Sequence, residues 1–371
     1  MAYLFPEDLR QLRVVLCHDW LTGMRGGERV LELLCDVFPD APIVTLIHNR
    51  GAVSETINRH PITVSFLQRV PGILTHYRNY LPLFPAAINS LHAPPCDLVI
   101  STSHCVAKAL RAPPGARHLC YCFTPMRYAW LFQEEYFGPN RLKRALTAPL
   151  LSTLRHWDRS SSSRVDRFVG ISRHVQERIA RFYGRTADVV YPPVNTDFWT
   201  PAPTHQDDFD LIVSALVPYK RIDLAVRAYN HTRRRLKIVG TGGECCALRA
   251  LAGPTVELLG WQSDVIIRDL YRQCRLLVFP GEEDFGIVPI EAMACGKPVV
   301  AYARGGALET VVDGISGIFF KAQTAEAIAE AVQQCLIQTW DSPAIRRHAE
   351  RFGHANFCHG LVESIRACQA Q

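Results

Sequence analysis

Two carboxylates carry the first chemical signal in this 371-residue chain. Residues 281 to 301 read GEEDFGIVPIEAMACGKPVVA, an otherwise apolar stretch in which Glu283 and Glu291 stand with seven residues between them. The preceding LLVFP (276–280) reads as a strand, GEEDFG as a loop and IVPIEAMACG as a helix closed by Gly296. Pro289 suits the first helical turn, where a missing amide donor costs little. A glycine-containing loop feeding a helix N-terminus makes an anion site, because N–H groups and the helix dipole point at the ligand. Phe285, Gly286, Ile287 and Val288 stand where their amides would meet a diphosphate, with Glu283 just before them and Glu291 one turn into the helix. A phosphate site between two acids suits a nucleotide sugar, one carboxylate holding sugar hydroxyls and the other ribose hydroxyls. The plainer alternative is a solvated loop acid followed by a helix-surface acid.

The elements that must position this stretch recur along the chain. Short apolar runs bounded by turn residues alternate with helical patterns: VVLCH (14–18), IVTLI (43–47), DLVIS (97–101), HLCYC (118–122) and FVGIS (168–172) in the first half. DLIVSAL (210–216), LKIVG (236–240), VELLG (256–260), LLVFP (276–280) and PVVAY (298–302) follow in the second. Near-continuous apolar strands separated by helices predict parallel sheets covered on both faces. The fold class is therefore α/β, two doubly wound, Rossmann-like domains, with ligands outside the carboxyl ends of the strands and a cleft between the domains. The prolines and acids of VVYPPVNTDFWTPAPTHQDD (189–208) break both periodicities and mark the boundary. The expected division is 1–190, 191–350 and a C-terminal helix over 351–371 packing back on the first domain.

Composition narrows the partners. Hydrophobic residues make up 48% and charged residues 20%, as in soluble enzymes. The start has no continuous apolar core of a secretory signal, and no apolar run reaches the roughly 18 residues that span a bilayer. The expected location is cytoplasmic, with peripheral contact at the inner face of the plasma membrane. Thirteen scattered cysteines lack paired C-x-x-C spacing and read as buried, reduced thiols. Residues 1–190 hold 23 Lys and Arg against 15 Asp and Glu, and residues 191–371 hold 18 against 20. The excess in the first half is either surface variation or a face for something anionic, such as phospholipid. No compact basic run with interleaved aromatics points to nucleic acid. In SFLQRVPGILTHYRNYLPLFPAAI (65–88), aromatics and leucines alternate with Arg69, His76 and Arg78. That pattern fits core packing and an interfacial surface for a lipid-linked acceptor equally well.

Five ordered blocks carry a family resemblance across most of the chain: HDWLTGMRGGERVLELL (18–34), STSHCVAKAL (101–110), YCFTPMRYAW (121–130), VPYKRIDLAV (217–226) and FGIVPIEAMACGKPVVA (285–301). With the E-x7-E spacing, they resemble the family-4 glycosyltransferases, retaining enzymes of the GT-B fold. The resemblance implies that Glu283 contacts the donor hexose and Glu291 the ribose. It implies that Lys220 pairs with the donor diphosphate, and that Gly26 and Gly27 form a loop whose backbone approaches it. His104 matches the histidine that approaches the donor sugar, and Arg127 and Tyr128 lie among acceptor contacts. The family's companion Gly-Arg pair is replaced here by Ser214 and Ala215, so Arg221 stands in for the absent charge. Phe123 occupies a position where relatives carry histidine. IVGTGG (238–243) fails the dinucleotide fingerprint, since Gly240 and Gly242 match and Cys245 does not; it resembles the second-domain loop lining a nucleotide. Asp208-Phe209-Asp210 is a strand start rather than a metal motif, so neither metal nor cofactor is expected.

The expected function is hexose transfer from a nucleotide diphosphate sugar to a glycan or lipid-linked glycan, with retention of configuration. The HDWLTGMRGGERVLE and TPMRY blocks resemble bacterial polysaccharide mannosyltransferases, which implies GDP-mannose as donor. A sugar-nucleotide epimerase of the same fold, or a non-catalytic nucleotide-sugar-binding subunit, are the alternatives.

Overall fold

The computed structural model describes residues 5–131, 141–203 and 207–370, with only the backbone of 141–147. Part of the expected linker, residues 204–206, lies outside them. The chain divides into two units, Met1–Pro192 with Ala355–Gln371, and Pro193–His354.

In the first unit β1 (Val14–His18), β2 (Ile43–Thr45), β3 (Ile62–Val64), β4 (Leu98–Ser103), β5 (Arg117–Cys122), β6 (Arg167–Gly170) and β7 (Ala187–Val189) form one parallel sheet. The strand order is 3-2-1-4-5-6-7. Every residue of β1 and β4 is buried, as strands covered on both faces must be. β3 and β7 add to the five strands that the apolar runs predict. Both are three-residue edge strands with partly exposed side chains, so neither offers an apolar run to read. The helix Gly26–Val37 packs Val30, Leu31, Leu34 and Cys35 inward. The helix Arg173–Tyr183 starts where Ser172 Oγ accepts the amide of Val175 and stops at Gly184, whose φ of 66° suits glycine.

The C-terminal helix His354–Gln369 contributes Phe357, Leu361 and Ile365 to the buried interior, with Phe357 edge-on to Tyr121 at 5.6 Å. One polar cluster ties several elements together. Lys108 Nζ donates to Asp158 Oδ1 at 2.6 Å and Ser161 Oγ at 3.1 Å, while Trp130 Nε1 and Tyr183 Oη donate to Asp158 Oδ2. Both charges are buried, and the full donor set around the carboxylate is what makes that tolerable.

In the second unit β8 (Asp210–Val213), β9 (Leu236–Val239), β10 (Val256–Gly260), β11 (Leu277–Phe279), β12 (Val299–Tyr302) and β13 (Gly317–Phe320) form a parallel sheet in the order 10-9-8-11-12-13. β13, which is not among the apolar runs read as strands, closes one edge. Asp208 and Asp210 both pair with Arg275, and Asp210 also accepts from Tyr229 Oη at 2.7 Å. The two acids thus anchor the start of β8. Among the described residues no helix is long and apolar enough to cross a membrane. All thirteen cysteines are free thiols; eleven are buried, but Cys245 is half-buried and Cys246 exposed, which corrects the expectation that all are interior.

Candidate active site

Strand order reverses once in each sheet, between β1 and β4 and between β8 and β11. The loops leaving the carboxyl ends of those strands are where a doubly wound sheet opens to ligands. In the second unit they are the loop after β8, which leads to Lys220, and the loop after β11, which holds Glu283.

The two loops lie against each other because of glycine. A Cβ on Gly281 would stand 2.8 Å from Lys220 Cα. On its far side, the Glu283 carbonyl accepts the amide of Gly306 at 2.8 Å. Gly305 has φ of 62° and would place a Cβ 2.3 Å from the Glu283 oxygen, and a Cβ on Gly306 would fall 2.2 Å from Phe285 Cα. Pinched this way, the loop aims the Glu283 carboxylate at Lys220 Nζ, with which it forms an ion pair; the side chains are 23% and 12% exposed. Phe285 is buried with its ring 5.8 Å from Phe352, anchoring the turn. Gly286 takes φ of 95° as N-cap of the helix Ile287–Ala294, whose first turn includes Val288 and Pro289. The leading amides of such a helix have no intrahelical acceptor. One turn in, Glu291 accepts a hydrogen bond from Tyr271 Oη at 3.1 Å, and Tyr271 is wholly buried. Burial and the neighbouring Glu291 carboxylate push the Tyr271 phenol well up, so it stays a donor.

Arg221 follows Lys220 in a left-handed conformation, φ of 50°, which is uncommon for a side chain with a Cβ. Its guanidinium pairs with Asp223 at 3.2 Å, so much of its charge is already met locally. Gly240 is tightly packed within its own unit. Its amide donates to the Gly260 carbonyl at 2.7 Å, and a Cβ there would overlap Ser214 O at 1.8 Å. Gly242 approaches Leu216 in the same manner. These glycines let the loops after β8 and β9 pack backbone to backbone.

In the first unit the switch point lies between the ends of β1 and β4. His104 directly follows β4, and the short 3-10 turn Ala107–Ala109 opens beyond it. Its side chain is 31% exposed, its Nδ1 lies 3.0 Å from Asp19 Oδ2, and its ring stands edge-on to Trp20 at 4.4 Å. Gly26 begins the helix Gly26–Val37, and a Cβ on Gly27 would press on the rings of Phe123 (3.2 Å) and His18 (3.4 Å). His18 is buried; Thr102 Oγ1 donates to the Cys17 carbonyl, so at 2.7 Å it accepts from His18 Nδ1. Burial lowers the His18 pKa, and Glu28, 3.9 Å away, opposes that. Glu28 in turn accepts the Arg25 amide at 3.1 Å. Arg127 and Tyr128 sit half-buried on the short helix Arg127–Trp130 after β5.

A cavity of about 530 Å³ opens beside this region, lined by Thr22, Arg25 and residues 74–79. Trp20 connects it to the switch point, since its ring lies 5.0 Å from Tyr77 and 4.4 Å from His104. The stretch 65–88 divides between buried and exposed side chains. Leu67, Ile73, Tyr77 and Phe84 join the core, while Phe66, Leu74 and Leu83 stay exposed. Residues 56–96 contain no Asp or Glu.

Sequence reasoning missed Asp19, Trp20, Tyr271, Gly305 and Gly306. Asp19 and Trp20 fall inside a block that was read for its glycines, and Gly305-Gly306 is a visible pair with no motif around it.

The whole chain has the GT-B fold. Over 96% of its length it superposes on sucrose-phosphate synthase from Thermosynechococcus elongatus (TM-score 0.72, 17% identity, 99% of that chain). The Anabaena HepE protein, solved in complex with UDP, superposes equally far (TM-score 0.71, 17% identity, 100% of that chain). Within that fold, residues 195–353, nearly all of the second unit, match the family described as Glycosyl transferases group 1. A GDP-mannose-dependent alpha-(1-6)-phosphatidylinositol monomannoside mannosyltransferase of Mycolicibacterium smegmatis is 32% identical over 197 residues, 45% of this chain and 52% of its own. An uncharacterized glycosyltransferase of Methanocaldococcus jannaschii is 27% identical over 187 residues, 49% and 53% respectively. The chain thus spans about half the length of the curated relatives it matches.

Proposed function

We propose that the protein is a retaining glycosyltransferase that moves a hexose from a nucleotide diphosphate sugar to a glycan or lipid-linked glycan. The observation that carries this reading is the convergence of Lys220 and Glu283, 63 residues apart, beside a helix N-terminus at the β8–β11 crossover. A cation and a set of first-turn amides suit a diphosphate, and the carboxylate beside them suits sugar hydroxyls. Glu291, held by Tyr271, suits the ribose. Catalysis then rests on orientation and on stabilising the departing diphosphate, with its charge met by Lys220 and the amides rather than by a metal. Glu283 is neutralised by Lys220 and is a poor nucleophile, which favours attack from the face the diphosphate leaves, with a phosphate oxygen taking the acceptor proton.

We place His104 beside the donor sugar and Arg127 and Tyr128 on the acceptor side. The acid-free stretch 56–96, with Arg69, His76 and Arg78 among exposed apolar residues, favours an anionic, lipid-linked acceptor reached by peripheral contact with a cytoplasmic membrane face. GDP-mannose is the favoured donor, supported by the name of the mycobacterial relative and by the resemblance of the 18–34 block; cell-surface polysaccharide synthesis is the corresponding role. Incubating purified protein with radiolabelled GDP-mannose, UDP-glucose and UDP-galactose tests the reading. Slow release or transfer of labelled mannose with retained configuration is expected. A new sugar isomer identifies an epimerase, and binding without turnover a carrier subunit.

A further inference from the structure

The first unit contains a carboxylate that no motif announces. Asp19 follows β1, is wholly buried, and collects five donors. Its Oδ2 accepts the amides of His104 (2.6 Å) and Cys105 (3.0 Å), and its Oδ1 those of Val106 and Ala107 (both 2.6 Å). The fifth donor is His104 Nδ1, 3.0 Å from Oδ2. Burial opposes ionisation of Asp19, yet the His104 ring and amide more than offset it and hold the group well below the usual carboxylate range. A carboxylate can only accept, so the ring nitrogen facing it must carry the proton. The other nitrogen, Nε2, has no hydrogen-bond partner among the described residues, and the side chain is about a third exposed.

We propose that Asp19 is a positioning residue for His104: it fixes the ring's orientation and its Nδ1–H tautomer, so that Nε2 presents a lone pair to a substrate hydroxyl. Trp20 restrains the same ring edge-on from the side. The four amides bind the carboxylate from the turn that bears His104, so the turn and the ring are set by one group spanning β1 and β4. The four amides also keep the carboxylate charged and immobile, so it orients the ring instead of taking its proton. Partners that orient a histidine in this manner affect function through tautomer and angle rather than through contact with substrate.

The assignment rests on the reading of His104 as a substrate contact, but its first test does not. In protein labelled with 15N-histidine, with the His104 signals identified by difference from His104→Gln, neutral His104 is expected to carry its proton on Nδ1. A proton on Nε2, or an even mixture, overturns the proposal whether or not any donor is turned over. The second test is a double-mutant cycle on donor hydrolysis. Asp19→Asn is expected to lower turnover roughly 10–100-fold with His104 present, and by no more than about twofold in a His104→Gln background. Nucleoside diphosphate affinity is expected to be the same in all four proteins. An equal loss in both backgrounds makes Asp19 a structural group only. Should Asp19→Asn fail to fold, the tautomer in the parent protein still decides. An inactive parent with the predicted tautomer removes the transferase reading and leaves the positioning intact.

Discussion

Replacing Glu283 by Gln is expected to act in opposite directions on binding and on turnover. Gln keeps the shape of the side chain, and the loop's position is set by backbone contacts with Gly281, Gly305 and Gly306 that the change leaves alone. What is lost is the charge that engages Lys220 when no ligand is present. A diphosphate competes with that carboxylate for the ammonium and is repelled by it. For a pair between 12% and 23% exposed, solvent screening leaves about 1 kcal/mol for this competition, so GDP or UDP should bind roughly fivefold more tightly to Glu283→Gln. Turnover of an intact donor should fall by up to about a hundredfold, about 2.7 kcal/mol, because the contact to the sugar strengthens only as the glycosidic bond breaks. Calorimetry with the free nucleoside diphosphate and a labelled-donor assay measure the two effects, and Lys220→Ala should weaken nucleoside diphosphate binding. Unchanged or weaker nucleoside diphosphate binding by Glu283→Gln refutes the competition. Parent-level turnover removes Glu283 from the site.

Tyr271→Phe deletes the donor to Glu291 and is expected to weaken nucleoside diphosphate binding by about 1 kcal/mol, read by calorimetry, with melting temperature less affected. Gly306→Ala forces a methyl within 2.2 Å of the Phe285 backbone, and denaturant titration should show a loss of about 1–3 kcal/mol together with impaired turnover. Asp158→Asn strands the buried Lys108 charge and should cost about 3–5 kcal/mol in the same titration. His118 is buried, its Nδ1 donating to the Arg164 carbonyl and its Nε2 accepting from Ser101, and burial lowers its pKa to about 4. The unfolded state therefore binds the proton first: this contribution is complete above about pH 6.5 and is lost as pH falls toward 4, a change of about 3 kcal/mol. His118→Asn should flatten that part of the stability–pH curve measured by urea denaturation.

Periodicity and turn chemistry made much of this protein legible in its sequence. Central strands such as β1 and β4 are buried on both faces and so read as continuous apolar runs. The helix Ile287–Ala294 announced its ends through Pro289 and Gly296, and the last of these takes a positive φ as expected of a helix stop. Local signals of that kind are written residue by residue. The edge strands β3, β7 and β13 were not read, being only three or four residues long; pairing with a neighbouring strand is what makes them strands. The same division holds at the site. Glu283, Glu291, Lys220 and His104 could be singled out as candidates because each lies in a recognisable block of sequence. That Glu283 faces Lys220, that Tyr271 holds Glu291, that Gly240 serves loop packing and that Asp19 gathers five donors around His104 depend on strand order. Parallel crossovers bring residues 63 and 85 positions apart to the same sheet edge, and hydrogen bonds as short as these act only between groups that the fold has already made neighbours.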